Sequence, residues 1–191
     1  MRILGIMGSP RIGGNTDLLF NEALKGAEAE GAAIEKIVVD KLKITPCREY
    51  YGCLKDGNCV IRDDMDAIYP KLLEAEGIIL ASPMFFYGLT AQVKALIDRS
   101  QALWARKYVL KQTPPNSTRR GVFIAVGATK GDKLFEGSIL TVRYFFNTVG
   151  VKYSEELLIR GIDKKGEIRE HPTALKDAFE LGKRLGRSSH V

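Results

Sequence analysis

The chain has 191 residues, of which 45% are hydrophobic and 27% are charged, and its formal net charge is +6. This length predicts a single domain, residues 1–191. No apolar run approaches the roughly 20 residues that cross a bilayer, which excludes a membrane-spanning protein. We expect the protein in the cytoplasm. The basic residues are scattered along the chain, which argues against a nucleic-acid partner.

Short β-branched runs alternate with amphipathic patterns along the chain. We predict strands at 2–7, 34–39, 77–81, 121–126 and 152–159, and helices at 16–30, 64–76, 89–104, 133–149 and 173–185. This alternation is typical of βαβ units, and it predicts a flavodoxin-like, doubly wound five-stranded parallel sheet in three α/β/α layers. Ligands of such a sheet lie beyond the carboxyl ends of the strands. The apolar stripe of the third helix includes Trp104, which we expect in the core.

Residues 8–16 form a glycine-rich loop between the first strand and the first helix. Backbone N–H groups and the positive end of a helix bind anions, and glycines let the main chain approach phosphate oxygens. Donors or charge come from Ser9, Arg11, Asn15 and Thr16, with Gly14 at the helix start. The loop has neither the P-loop lysine nor the dinucleotide glycine spacing, so it predicts a phosphate site of another kind. The alternative is an ordinary turn capped by Asn15 or Thr16.

A second block follows the third strand. The sequences GSPRIGGNT at 8–16 and SPMFFYGLTAQVK at 82–94 together resemble the NADPH-dependent FMN reductase and iron–sulfur flavoprotein superfamily. The resemblance implies bound FMN, with its phosphate in the first loop and its ring against a flat apolar segment. The ring contacts that we expect are Pro83, Met84, Phe85, Phe86, Tyr87 and Gly88. Backbone groups of Met84 and Phe85 would reach the pyrimidine edge, and Phe86 or Tyr87 would pack on the ring.

The fourth predicted strand leads into a third loop, where the superfamily has a glycine-containing loop against the flavin. The resemblance makes Ala128 and Thr129 second-tier flavin contacts, and the alternative is a plain turn. No Ser–His or Cys–His nucleophilic arrangement is visible in the sequence. We therefore predict no catalytic side chain, because the cofactor would carry the chemistry.

Three cysteines lie in the long connection at 40–63. Iron–sulfur flavoproteins carry a C-x2-C-x2-C-x5-C motif in this region, and Cys47, Cys53 and Cys59 match three of its positions. Tyr50 stands at the second position, and a phenol is a poor substitute for a thiolate ligand of a [4Fe–4S] cluster. Three options therefore stay open. They are a cluster with three protein ligands and either an open iron site or a fourth ligand from another chain, a zinc site, and structural thiols.

The resemblance predicts an FMN-dependent oxidoreductase that takes electrons from NAD(P)H or a ferredoxin-type donor and passes them to a small-molecule acceptor or a carrier. One alternative is an iron–sulfur flavoprotein that carries electrons without turnover of its own. Another is a sensor that binds FMN without redox chemistry. Members of the superfamily commonly assemble, so a homodimer or homotetramer is expected.

Overall fold

The computed structural model describes residues 1–112 and 118–187. The strands in these ranges are β1 (Arg2–Met7), β2 (Ala33–Val38), β3 (Gly77–Pro83), β4 (Arg120–Gly127) and β5 (Lys152–Arg160). The α-helices are α1 (Asn15–Ala29), α2 (Cys53–Asp56), α3 (Met65–Glu74), α4 (Ala91–Arg99), α5 (Gln101–Trp104), α6 (Glu136–Thr148) and α7 (Ala174–Gly186). There are also 3-10 turns at Val39–Lys41 and Glu167–Glu170 and a π-helical turn at Ala105–Val109.

The five strands run parallel in one sheet, in the order β2-β1-β3-β4-β5. The chain leaves β1 toward β2 on one side and returns to β3 on the other. The loops after β1 and β3 therefore lie side by side at the switch point, where doubly wound sheets bind ligands. This confirms the predicted flavodoxin-like fold.

Both faces of the sheet are buried, which explains why its central strands are almost continuously apolar. Leu4 and Ile6 of β1 face a core that includes residues of α3, α4, α5 and α6. Ile3 and Met7 face the opposite way, into a core shared with α1 and α7. The arrangement confirms the three α/β/α layers.

The single helix predicted at 89–104 is wrong in one respect, because it is divided into α4 and α5 at Ser100. The Ser100 N–H donates to both the Leu96 and the Ile97 carbonyls, at 3.1 and 3.0 Å. This tightened turn shifts the phase of the residues that follow. Trp104, predicted in the core, is consequently 37% exposed.

Arg119 joins the ends of two helices to the sheet. Its guanidinium is buried and donates to the Leu72 carbonyl, to the Ala75 carbonyl at 2.6 Å and to the Val149 carbonyl at 2.7 Å. Carbonyls at helix ends lack partners within the helix, so this side chain satisfies the ends of α3 and α6 together. Burial lowers the Arg119 pKa to about 10.

The connection between the π-helical turn and β4 includes residues 113–117, which lie outside the described ranges. None of the helices in the described ranges is long and apolar enough to cross a membrane.

Candidate functional site

The predicted site residues converge at one edge of the sheet. The phosphate loop (residues 8–16) follows β1, the ring segment (residues 83–88) begins at the last residue of β3, and the third loop (residues 128–133) follows β4. These strands are neighbours and parallel, so all three connections leave the sheet at the same edge.

The phosphate loop is a compact turn at the N-terminus of α1. Ser9 and Thr16 are buried, whereas Arg11 is exposed. Ser9 Oγ accepts the Arg11 N–H at 3.2 Å, and the Gly14 N–H donates to the Arg11 carbonyl at 3.0 Å. Gly13 has φ of +69°, in the left-handed region that favours glycine. The first N–H groups of α1 have no partner within the helix, and groups of this kind can bind an anion.

Asn15 is placed differently from the other predicted phosphate contacts. It is the first residue of α1, but both ends of its side-chain amide bond to the connection between β5 and α7. Its side chain is therefore engaged within the protein.

Thr90 ties the phosphate loop to the ring segment, a role that sequence reasoning missed although the residue lies in the resembling block. Its buried hydroxyl donates to the Gly8 carbonyl at 2.9 Å and accepts the Val93 N–H at 3.4 Å, which caps α4. Its N–H donates to Ser82 Oγ at 3.3 Å. The Gly8 N–H donates to the Ala81 carbonyl at 2.7 Å. The two predicted cofactor loops thus form one hydrogen-bonded unit.

The ring segment is an exposed two-residue hairpin. Phe85 and Gly88 exchange two backbone hydrogen bonds of 3.0 Å. Between them, Phe86 and Tyr87 have φ values of +49° and +61°. Turns with positive φ at both central positions usually use Asn and Gly, so two aromatic residues here hold a strained conformation, as functional sites often do.

The side chains of this hairpin differ in their surroundings. The Phe86 side chain is fully exposed. Tyr87 packs against the third loop, since a Cβ placed on Gly131 would lie 2.5 Å from the Tyr87 hydroxyl. The backbone N–H groups predicted to reach the flavin are engaged within the protein, because the Met84 N–H donates to the Val126 carbonyl at 2.8 Å and the Phe85 N–H donates to the Gly88 carbonyl at 3.0 Å.

The third loop is exposed at both residues predicted to contact the flavin, Ala128 and Thr129. The Thr129 carbonyl accepts the Gly161 N–H at 3.3 Å, which links this loop to the end of β5. The contact between Tyr87 and Gly131 joins the same loop to the ring segment.

The cysteine segment (residues 40–63) forms one wall of a cavity of about 630 Å³. All three cysteines and Tyr50 line it, together with Trp104. Burial, and then the neighbouring Cys59 and Cys47, raise the pKa of the Cys53 thiol. In the described ranges, no three His, Cys, Asp or Glu side chains are close enough to hold a metal ion. The predicted three-cysteine set therefore does not form a metal site as arranged.

Arg99 fixes both ends of the cysteine segment. It is 1% exposed and donates to the Thr45 carbonyl at 2.9 Å, to Asp63 Oδ2 at 2.7 Å and to the Ile61 carbonyl at 3.1 Å. Burial alone would raise the Asp63 pKa, but hydrogen bonds from Arg99 and from the Thr45 and Met65 N–H groups outweigh it and lower that pKa. The ion pair is thus present at neutral pH.

Arg106 holds the middle of the same segment. Its Nε donates to the Gly57 carbonyl at 2.9 Å, and its Nη2 donates to Asn58 Oδ1 at 2.8 Å. We call Arg99 and Arg106 the arginine clamp. Sequence reasoning did not identify it, since its partners lie 36 to 54 residues away along the chain.

The model of the NADPH-dependent FMN reductase family matches residues 1–134 of this chain. The chain belongs to this family. Membership confirms the resemblance read from the two loops, and with it the class of FMN-binding flavoproteins.

Two relatives and one solved structure show how far the family likeness extends. An iron–sulfur flavoprotein of Methanocaldococcus jannaschii is 47% identical over 103 residues, which cover 54% of this chain and 53% of that protein, so the chain matches about half of that relative's length. A candidate NAD(P)H-dependent, FMN-containing oxidoreductase of Bacillus subtilis is 29% identical over 186 residues, which cover 96% of this chain and 98% of that protein. A flavone reductase structure, 23% identical, superposes with a TM-score of 0.71 over 97% of this chain and 62% of that one, which supports the fold.

Proposed function

We propose that this chain is an FMN-dependent oxidoreductase that takes electrons from NAD(P)H or a ferredoxin-type protein and passes them to a small-molecule acceptor or a carrier. The observation that carries the proposal is the hydrogen bond from Thr90 Oγ1 to the Gly8 carbonyl. It joins an anion-binding loop to an exposed aromatic hairpin at the switch point of the sheet. An anion-binding loop held next to exposed aromatic side chains suits a flavin mononucleotide.

The residues present fit FMN in charge and shape. Arg11 makes no ion pair with a described residue, so its positive charge is available to a phosphate. Phe86 has an open ring face, and Tyr87 is braced by the third loop. When bound, FMN supplies a redox centre that accepts a hydride or single electrons. The chain's own part is to hold the phosphate, to cover one region of the ring with the hairpin and to leave access for a donor.

The direct test is flavin binding followed by reduction. We expect the apo chain to quench FMN fluorescence at one FMN per chain, and NAD(P)H to bleach the flavin absorbance under argon. Absence of binding by added FMN would contradict the whole proposal. Reduction by a reduced ferredoxin but by neither NADH nor NADPH would identify a ferredoxin-type donor, and resistance to all three would favour a sensor.

The second candidate is an electron carrier with an iron–sulfur cluster, favoured by the three cysteines that line one cavity and by the name of the archaeal relative. The donor set does not fit a [4Fe–4S] cluster, which normally takes four thiolates, whereas this segment has three and a phenol. We therefore derive no electron path through a cluster.

This mismatch predicts the outcome of a ligand-completion experiment. After anaerobic reconstitution, we expect the natural chain to hold fewer than four iron atoms, and Tyr50→Cys to hold more, because the substitution completes the C-x2-C-x2-C-x5-C pattern. Iron and sulfide analysis with the absorbance spectrum measures both. Tyr51→Cys is the matched control, since Tyr51 is also exposed and lines the same cavity. A full complement of iron in the natural chain would establish the carrier candidate instead.

We propose further that the chain forms one domain and assembles as a homodimer or homotetramer in the cytoplasm. The exposed apolar side chains of Trp104, Leu140 and Tyr144 are compatible with assembly.

A further inference from the structure

The connection between β5 and α7 is a hydrogen-bonded turn that lies against the phosphate loop. Gly166, with φ of +82°, precedes the 3-10 turn at Glu167–Glu170. The Glu167 carboxylate accepts the Asp163 and Lys164 N–H groups, both at 2.8 Å, and these bonds lower its pKa. Three backbone and side-chain constraints within a few residues give this turn a defined shape.

Asn15 attaches this turn to the start of α1. Its Nδ2 donates to the Lys164 carbonyl at 2.9 Å, and its Oδ1 accepts the Ile168 N–H at 3.2 Å. The Ile168 side chain is fully buried in the core, so it also holds the turn in place. These two bonds use one of the two amide N–H groups and fix the residues between the two partners.

Lys165 lies between those two partners, and its side chain extends over the phosphate loop. A Cβ placed on Gly13 would lie 3.7 Å from Lys165 Cε and 3.9 Å from Nζ. On the adjacent residue, a Cβ placed on Gly14 would lie 3.3 Å from Cγ and from Cδ of Arg11. The two glycines are therefore flanked by the side chains of Lys165 and Arg11, and neither cation forms an ion pair within the described ranges.

We propose that Lys165 is a second cationic contact of the FMN phosphate and that Asn15 is a positioning residue that holds Lys165 in place. This inference rests on the proposed function, since it assumes FMN in the site. The Asp17 carboxylate accepts the Gly13 N–H at 2.8 Å and is itself paired with Lys36 at 3.5 Å, so the negative charge next to Gly13 already has a cation, whereas Lys165 and Arg11 have no ion-pair partner among the described residues.

The test compares the affinities for FMN and riboflavin, which differ by the phosphate alone. Both dissociation constants of the apo chain are measured by quenching of flavin fluorescence. For Lys165→Gln we expect FMN affinity to fall about fivefold to tenfold while riboflavin affinity changes less than about twofold. Lys165→Arg should restore FMN affinity to within about threefold. Lys176→Gln, which removes the same charge from an exposed site on α7, should leave both affinities within about twofold.

The role of Asn15 is tested by a double-mutant cycle. Asn15→Ala should lower FMN affinity by a factor similar to that of Lys165→Gln, and the double variant should be little weaker than either, because both changes remove the same contact. Melting temperatures show whether each variant folds.

The outcomes separate the two proposals. A natural chain that binds neither flavin refutes the proposed function and this inference together. FMN binding that is equally strong in Lys165→Gln and Lys176→Gln refutes only the role of Lys165. Equal losses for FMN and riboflavin would show a structural effect instead of a phosphate contact, and fully additive losses in the cycle would refute the positioning role of Asn15.

Discussion

Arg99→Met is expected to destabilise the protein by about 3 kcal/mol or more, because it leaves a mostly buried carboxylate without its cation. The arginine is 1% exposed, and the Asp63 side chain is 9% exposed. Methionine occupies a similar volume but donates no hydrogen bonds, so the Thr45 and Ile61 carbonyls also lose their partner. Urea unfolding at neutral pH measures the loss.

Lys94→Met provides the matched control for this experiment. Lys94 lies on the same helix, α4, and pairs with Asp98 at the surface, so its replacement should cost less than about 1 kcal/mol. Adding Asp63→Asn to Arg99→Met should recover part of the lost stability, since the carboxylate is then neutral. Equal unfolding midpoints for Arg99→Met and Lys94→Met would show that the clamp does not stabilise the fold.

Because Asp63 titrates, the difference in unfolding free energy between Arg99→Met and the natural chain should depend on pH. The folded-state pKa of Asp63 is lowered, so its contribution to stability is present above its unfolded-state pKa and is lost as the pH falls through the folded value. Once Asp63 is protonated, it no longer forms an ion pair with Arg99, so the arginine stabilises the folded state less. The difference in unfolding free energy should therefore be largest near neutral pH, and it should shrink as the pH falls through the Asp63 pKa of the variant and then through the lowered Asp63 pKa of the natural chain.

Gly8→Ala is expected to cost about 1–3 kcal/mol and to weaken FMN binding at least about tenfold. The new Cβ would lie 2.3 Å from Val93 Cγ2 and 2.8 Å from the Ala81 carbonyl oxygen. The phosphate loop would have to move away from α4, which would also break the bond between Thr90 and the Gly8 carbonyl. Thermal unfolding and FMN titration measure the two effects.

A second glycine separates this close approach from the general effect of adding a methyl group. Gly137 lies in α6, where a Cβ would have one ordinary contact of 3.7 Å, and alanine favours helices over glycine. Gly137→Ala should therefore unfold at the same temperature or higher. If Gly8→Ala were as stable as this control and bound FMN normally, the close packing of the two loops would not matter to the site.

Local patterns predicted much of this molecule from its sequence. Each predicted strand end lies within about two residues of the observed one, because hydrophobic periodicity and flanking glycines are recognised over short stretches of sequence. The phosphate loop and the ring segment were likewise predicted because each is continuous in the chain. Their meeting at one edge followed from the order of the strands, which the fold class implies.

Contacts between distant parts of the chain could not be predicted in this way. Lys165 and Gly13 are brought together only by the packing of the β5–α7 turn on α1, and no pattern near either residue indicates the other. The same is true of Arg99 and Thr45. Trp104 was predicted wrongly for a different reason, since a helical stripe assumes one continuous helix and the chain tightens at Ser100.

Because of the arginine clamp, the structure of the cysteine segment does not depend on a bound metal. Many small metal-binding loops are unstructured until the ion arrives, so losing a single ligand abolishes both binding and folding. Here the loop is fastened by guanidinium groups from α4 and the turn after α5, and none of those hydrogen bonds involves a thiol. We therefore expect the backbone of this wall to persist when a cysteine is replaced by a residue of similar size, so that new ligands could be engineered into the cavity without rebuilding the loop.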